Sequence, residues 1–239
     1  MQEARPKWFL SFDCATVTLA FSLSRIDFSI AQVQSLRRRA NAAEELLRRA
    51  ATDGALLPQV EALVRALDVE VGSLIQIVDG ETVNLCPGMV DANIPTVTRI
   101  RALVQYVNAR VKPALLTHLR GEKLRVLVEY QAYDPQRKIS DALVTLFAEE
   151  DVIIIGAALK NRIYTCEEGK YSRFAAKYAS SYTANKAHAK FNFRKIEDTF
   201  GSTIPPSKPA LRGHIADSFM QVLGHLMNTD TDEEARNRY

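Results

Sequence analysis

From Trp8 to Ile26 the chain reads WFLSFDCATVTLAFSLSRI. β-Branched and aromatic residues are frequent in this stretch, which is typical of β-strands. The pattern predicts two strands joined by a tight turn near Cys14-Ala15-Thr16, that is, a β-hairpin. The first strand carries an acid, Asp13, among apolar neighbours that we expect to be buried. A buried carboxylate has to be paired, solvated at a strand end or bound to a cation, so Asp13 is a candidate functional residue.

Outside the hairpin, apolar periodicity and turn residues predict the remaining elements. They are helices at 30–50 and 57–67, a strand at 74–78 continued at 82–85, a long helix at 95–119, a strand at 124–130, a helix at 139–149, a strand at 152–155 and a last helix at 210–227. The strand–helix–strand order after residue 124 indicates a βαβ crossover. The sequence therefore predicts one α/β domain over 1–229, with a helical insertion at about 29–67 and a polar tail at 230–239.

Composition excludes several classes of protein. The 239 residues are 47% hydrophobic and 25% charged, as in ordinary globular domains. No run approaches the roughly 18 apolar residues of a membrane span, and no secretory signal is visible, so we expect an intracellular protein. The three cysteines are widely spaced, which argues against a disulfide framework and a CxxC zinc site.

Three further side chains belong with Asp13. Glu129 lies in the apolar strand Val126-Leu127-Val128-Glu129-Tyr130, and His214 and Asp217, three residues apart, share a face of the last helix. Taken singly, each acid is more often a cap or an ion-pair partner, and a lone histidine is more often a hydrogen-bonded surface residue. Together, however, such ligands suit Mg²⁺ or Mn²⁺. Two such ions about 3.5–4 Å apart can activate water for phosphodiester hydrolysis.

The segment 160–212 is rich in basic and aromatic residues. It holds 11 lysines and arginines against 4 acids, with tyrosines and phenylalanines between them. This composition suits a nucleic-acid backbone with occasional base stacking, although a solvated helix face is the alternative. The candidate DNA contacts are Lys160, Arg162, Lys186, Lys190, Arg194, Lys195 and Arg212. The arginines at 37–39, 48 and 49 are either a second DNA surface or part of a partner-binding helix pair.

Several of these segments together resemble the poxvirus and iridovirus Holliday junction resolvases, which are similar in turn to bacterial RuvC. The resemblance is carried by Phe9–Leu23, Val126–Gln131, Lys160-Asn161 and His214–Ser218, and it covers roughly 7–26 and 124–227. It implies a ribonuclease H-like fold, a mixed sheet flanked by helices. Asp13, Glu129, His214 and Asp217 would be catalytic and would bind two Mg²⁺ ions, with Mn²⁺ as a substitute, and Lys160 would meet the scissile phosphate.

Two departures from the family pattern stand out. The first strand of the family continues Asp-x-Gly-x-x-Asn, whereas here Ala15 and Thr18 take the places of the glycine and the asparagine. The acid pair of the last helix is broken by His214, a position that is histidine in some RuvC enzymes. Activity is still expected, with a shift in metal preference.

The leading hypothesis is a metal-dependent homodimeric resolvase that makes symmetric nicks in four-way DNA junctions. Its candidate dimer seam is helix 95–119, whose apolar stripe otherwise packs on the sheet. The alternatives are a junction-binding architectural protein with a decayed site and a nuclease of the same fold with another branched or hybrid substrate. An actin-like ATP-binding fold is disfavoured, since no glycine-rich phosphate loop is visible. The viral resemblance favours the host cytoplasm or nucleus as the location.

Overall fold

A computed structural model describes residues 7–27, 29–50, 52–157, 159 and 212–228. The chain forms two compact units. The first contains the described parts of 1–26, 77–157 and 203–219, and the second contains those of 27–76, 158–202 and 220–239.

A five-stranded mixed sheet organises the fold. Its strands are β1 Trp8–Cys14, β2 Thr18–Ile26, β3 Ile75–Asn84, β4 Leu124–Glu129 and β5 Asp151–Ile155, in the order β3-β2-β1-β4-β5. β1 pairs with β2 in the antiparallel sense, and β4 pairs in the parallel sense with both β1 and β5. Parallel neighbours need a crossover, which the helix between β4 and β5 provides. The predicted α/β class, a mixed sheet flanked by helices with a helical insertion after the first hairpin, is confirmed.

One face of the sheet carries the main core of the first unit. Residues of β1 that alternate along the strand, Leu10 and Phe12 among them, pack with fully buried Leu103, Val107 and Val111. Burial of each such aliphatic side chain contributes about 1.5–3 kcal/mol. The apolar stripe of the predicted long helix is therefore used on the sheet, as the periodicity favoured.

The predicted helix 95–119 is continuous but not uniform. It consists of α3 Thr96–Tyr106, a π-helical segment Val107–Val111 and α4 Lys112–Leu119. Pro113, in the first turn of α4, has no amide hydrogen to donate to the preceding turn. A π-helical turn before it accommodates that missing hydrogen bond.

The opposite face of the sheet carries several small and polar side chains besides the apolar Phe9 and Leu127. In β1 and β2 the residues on this face include Ser11 and Ser22, which pair across the strands, and Asp13. A further helix, Arg212–Asn228, begins here, since Ile215 lies near Gly80 of β3. A Cβ at Gly80 would stand 3.0 Å from the carbonyl oxygen of Phe21 and 3.8 Å from Ile215 Cγ2. Glycine at this position therefore permits the close approach.

In the second unit, α1 Ile30–Ala50 and α2 Leu57–Leu74 form a helical hairpin. The hairpin was predicted, but α2 runs seven residues beyond the predicted end at 67. Its buried positions, Val60, Val64, Leu67 and Val71, keep the helical spacing that holds the extension in place.

Three consecutive arginines of α1 differ in their contacts and exposure. Arg37 donates to the carbonyl oxygen of Leu226 at 2.7 and 2.9 Å, and Arg39 forms an ion pair with Glu70. Arg38 is exposed. The predicted basic surface of this helix is therefore smaller than its arginine content indicates.

Several other boundaries also differ from prediction. The helix predicted at 139–149 is α5 Gln136–Leu146, which begins directly after Pro135 and therefore starts and ends three residues earlier than predicted. β3 is one continuous strand through Asp79-Gly80, where a break was expected. The last helix, α6, spans Arg212–Asn228 and ends one residue beyond the predicted 227, while its predicted start at 210 lies outside the described residues. Among the helices that the structure describes, none combines the length and apolar character that a membrane span requires.

Candidate metal centre

Two of the predicted acids lie side by side at the ends of adjacent parallel strands. Phe12 of β1 pairs with Val128 of β4, so the next residues, Asp13 and Glu129, are neighbours across the sheet. Strands in a sheet lie about 4.8 Å apart, and neighbouring residues at the same register point to the same face. Both residues are buried, at 5% exposure each. The carboxyl ends of the two strands thus deliver two carboxylates to one place.

Helix α6 brings the third acid and the histidine to Asp13. His214 Nδ1 lies 2.6 Å from Asp13 Oδ2, a hydrogen bond between side chains 201 positions apart in the chain. Asp217, one turn along α6, is completely buried. One ligand atom from each of Asp13, His214 and Asp217 lies within 4.8 Å of the other two. The i, i+3 spacing therefore places His214 and Asp217 on the same face of α6, the face that meets Asp13.

Glu129 is held by contacts of its own. Its Oε1 accepts a hydrogen bond from Gln131 Nε2 at 3.2 Å, and its carbonyl oxygen accepts one from the Ser140 hydroxyl at 3.1 Å. Glu129 is not in the set of three whose ligand atoms lie within 4.8 Å. It is the immediate neighbour of that set across the sheet.

The negative charge of the site also affects the pKa of Cys14, the last residue of β1. Burial raises the pKa of the Cys14 thiol, the carboxylates of Asp13 and Glu129 raise it further, and a hydrogen bond with Ser140 opposes them. A thiol with a raised pKa stays protonated and is a poor nucleophile. Cys14 is buried beside the acids and packs in the core of the first unit.

The donor set fits a hard divalent cation. Burying two carboxylates within 4.8 Å of each other is unfavourable unless a cation or hydrogen bonds offset their repulsion. Carboxylate oxygens suit both Mg²⁺ and Mn²⁺, whereas an imidazole nitrogen is a better ligand for Mn²⁺ than for Mg²⁺. The chemistry of Asp13, His214 and Asp217 therefore accepts either ion.

The remaining predicted site residues lie outside the described residues. They are Lys160, Arg162, Lys186, Lys190, Arg194 and Lys195, together with the side chain of Arg212. Their assigned roles stay predictions.

Two residues at the site had no role in the sequence prediction. Gln131 lies within the segment Val126–Gln131, and its amide supports Glu129. The only feature of the sequence that could have indicated a role for Gln131 is its position two residues after Glu129. Ser140 contacts the strand end from α5, and nothing in its sequence context singles it out.

Comparison with known proteins gave similarity at the level of structure only. No protein-family profile matches the sequence, and no curated protein matches it significantly. The chain is similar to RuvC of Thermus thermophilus, with a TM-score of 0.44 and 14% identity over 92% of this chain and 93% of that one. It is also similar to T. thermophilus RuvC in complex with a Holliday junction substrate, with a TM-score of 0.41, 13% identity and the same coverage. Similarity this low does not decide activity, so the function has to be argued from the site.

Proposed function

We propose that this protein is a divalent-metal-dependent endonuclease that resolves four-way DNA junctions. The observation that carries the proposal is the convergence of Asp13, His214 and Asp217 within 4.8 Å, with Glu129 on the neighbouring strand. The site lies at the carboxyl ends of parallel strands in a sheet ordered β3-β2-β1-β4-β5. Selectivity for the junction is supported by the sequence resemblance to viral resolvases.

The chain's own residues have separable tasks in this proposal. Asp13 and Asp217 hold the cations, and His214 either contributes a nitrogen ligand or shares a proton at Nδ1 with Asp13. Glu129, oriented by Gln131, adds a third carboxylate beside those of Asp13 and Asp217. Bound Mg²⁺ or Mn²⁺ supplies Lewis-acid activation of water and neutralises charge on the phosphodiester oxygens. Two ions per site is the proposed stoichiometry.

Contact with DNA is proposed for the basic segment that begins at Lys160. Each lysine or arginine that neutralises a phosphate contributes about 0.9 to the slope of log affinity against log salt concentration on duplex DNA. Replacing Lys190 and Arg194 by glutamine should therefore lower that slope by about 1.8. Arg65→Gln, at an exposed position in α2, is the matched control and should leave the slope unchanged. An unchanged slope in the double variant would remove these two residues from the DNA contact.

A homodimer through helix 95–119 completes the proposal, because a two-fold enzyme places two equal sites on a nearly two-fold junction. The sheet uses most of the apolar stripe, but Val97 and Leu116 remain 55% and 82% exposed. Sedimentation of the wild type and of the Val97→Ser/Leu116→Ser variant tests this seam. A wild-type monomer in the presence of junction DNA would exclude it.

The deciding experiment is cleavage of a labelled synthetic four-way junction. Wild type, Asp13→Asn and the exposed-acid control Asp141→Asn are compared with Mg²⁺, with Mn²⁺ and with a chelator, and a linear duplex serves as the control substrate. We expect paired symmetric nicks that require the metal and Asp13. Tight junction binding without nicks in either metal would support the architectural alternative. Efficient cleavage of flaps or hybrids with an intact junction would support the nuclease of another substrate.

A further inference from the structure

A buried arginine outside the acidic site bridges two loops of the first unit. Arg99, in α3, is 4% exposed, and its guanidinium donates three hydrogen bonds to backbone carbonyls. Nε donates to Ile94 at 3.1 Å, Nη1 to Thr16 at 2.9 Å and Nη2 to Asp91 at 2.5 Å. Nη1 also forms an ion pair with the Asp91 carboxylate. A buried cation is tolerated only with such partners, so the arrangement is specific to arginine at this position.

The loop that Arg99 contacts is the turn between β1 and β2. The Thr16 hydroxyl donates to Asp91 Oδ2 at 2.6 Å, and the Val17 carbonyl accepts from the Leu85 amide at 2.7 Å. Within the turn, the Ala15 amide donates to the Thr18 carbonyl at 2.8 Å. The turn is therefore held from outside at two successive carbonyls and one hydroxyl. The contacts with Thr16 and Arg99 also hold the pKa of the Asp91 carboxyl below its ordinary value.

This turn follows Asp13 and Cys14 at the end of β1, so it lies close in the chain to the candidate metal centre. Thr16 is three residues after Asp13, a distance of chain that spans at most about 11 Å. Ala15 and Thr18 stand at positions where the resembling family carries glycine and asparagine. The turn of this chain thus lacks those residues, and Arg99, Asp91 and Thr16 supply contacts that fix it.

We propose that Arg99, through Asp91 and Thr16, is a positioning residue that sets the place of Asp13 in the metal centre. The argument is geometric: Asp13 has to meet His214 and Asp217 of α6, and the backbone that follows Asp13 is fixed to α3 and to the segment 91–94. A turn released from these contacts lets the end of β1 shift, which changes the distance between Asp13 and Asp217. The proposal rests on the proposed function, because it assigns a role within the same site.

Three variants test this role. Thr16→Val removes the hydroxyl with little change in volume and leaves Arg99 in place, whereas Arg99→Met removes the whole bridge. Arg110→Met is the matched control. Arg110 also bridges elements of this unit, but its guanidinium donates to β3 and not to the turn: to Asp79 at 2.7 and 2.8 Å and to Glu81 at 3.0 Å. It is therefore expected to lower stability without disturbing Asp13.

Two readouts separate positioning from stability. The first is the Mn²⁺ or Mg²⁺ concentration that gives half-maximal junction cleavage, compared with the junction affinity measured in chelator. The second is the rise in melting temperature that Mn²⁺ alone produces. Outer-shell partners of metal ligands typically contribute 10–100-fold in metal affinity. We therefore expect Thr16→Val and Arg99→Met to raise the half-maximal concentration by about tenfold or more, with unchanged junction affinity.

The controls make each outcome informative. Unchanged metal dependence in Thr16→Val and in folded Arg99→Met would overturn the positioning role. An equal shift in Arg110→Met, at an equal loss of melting temperature, would overturn it too, because general destabilisation would then explain the effect. If the wild type binds Mn²⁺ but does not cleave, the proposed function fails, and the Mn²⁺-induced melting shift still decides the role of Arg99.

Discussion

Asp13→Asn has two opposing effects on the protein without metal. The Asp13 and Asp217 ligand atoms lie within 4.8 Å, so the repulsion that Asn relieves amounts to about 1 kcal/mol in water-like surroundings and about 3.5 kcal/mol at an effective dielectric constant of 20. Asn also weakens the 2.6 Å hydrogen bond to His214, which as a charge-assisted bond contributes about 1.5–3 kcal/mol. These terms are of similar size, so we expect little change in metal-free stability.

With metal, the two proteins should differ clearly. A cation at 100 times its dissociation constant stabilises the folded state by about 2.7 kcal/mol. For a chain of this size, each kcal/mol raises the melting temperature by about 2–4 °C, which gives about 5–11 °C for the wild type. Loss of an outer-shell partner lowers metal affinity by up to about 100-fold, and we take that factor for the loss of the Asp13 carboxylate. The same cation concentration then stabilises the variant by about 0.4 kcal/mol. Its melting temperature should then rise by only about 1 °C.

The assay is a melting curve at increasing Mn²⁺, recorded for wild type, Asp13→Asn and Asp141→Asn. Asp141 is exposed on α5, so its variant controls for the loss of one negative charge and should keep the wild-type shift. A full wild-type shift in Asp13→Asn would refute the assignment of Asp13 as a metal ligand. Equal losses in both variants would show that net charge, and not the site, determines metal binding.

Three other predictions concern the core, the turn and the histidine. Leu103→Ala, at a fully buried position, should lower the free energy of unfolding by about 2–5 kcal/mol in urea denaturation, and a loss below about 1 kcal/mol would contradict the described core. The pKa of Asp91 is lowered from its ordinary value of 3.8, chiefly by the Thr16 hydroxyl and then by Arg99. The ionised Asp91 carboxylate therefore stabilises the fold above about pH 4, and this stabilisation is lost as the pH falls through the lowered folded-state pKa. Melting temperatures of wild type and Asp91→Asn should therefore differ at pH 6 and converge as the pH falls below the ordinary value of 3.8, and a constant difference would contradict this linkage. His214→Asp replaces a nitrogen donor by an oxygen donor and should lower the ratio of Mn²⁺- to Mg²⁺-supported cleavage, whereas an unchanged ratio would place His214 outside the metal shell.

The acids of the site were predictable because each stands out against its local pattern. Asp13 and Glu129 interrupt apolar strands near their carboxyl ends, and the spacing of His214 and Asp217 places them on one helix face. These are short-range features, and the structure brings three of the four together. The lysine and the DNA contacts predicted between 160 and 212 rest on composition and remain predictions.

The helix boundaries show where local signals were too weak. The helix predicted to end at 67 continues to Leu74, because tertiary burial of Val71 outweighs the low helix propensity of Val69 and Gly72. The π-helical segment at 107–111 had a local cause in Pro113, yet the form of the accommodation depends on how Val107 and Val111 pack on the sheet.

The sequence by itself determined the class of the fold, the hairpin that opens it, and the residue types available for a metal centre, because periodicity and composition act over a few residues. Only the tertiary structure decided which side chains meet. The pairing of β1 with β4 and the contact of His214 with Asp13 join positions more than 100 and 200 residues apart, and the bridge from Arg99 to Thr16 joins positions 83 apart. Such contacts depend on strand register and on the packing of whole elements, and a shift of one residue in register would turn Asp13 to the opposite face of the sheet.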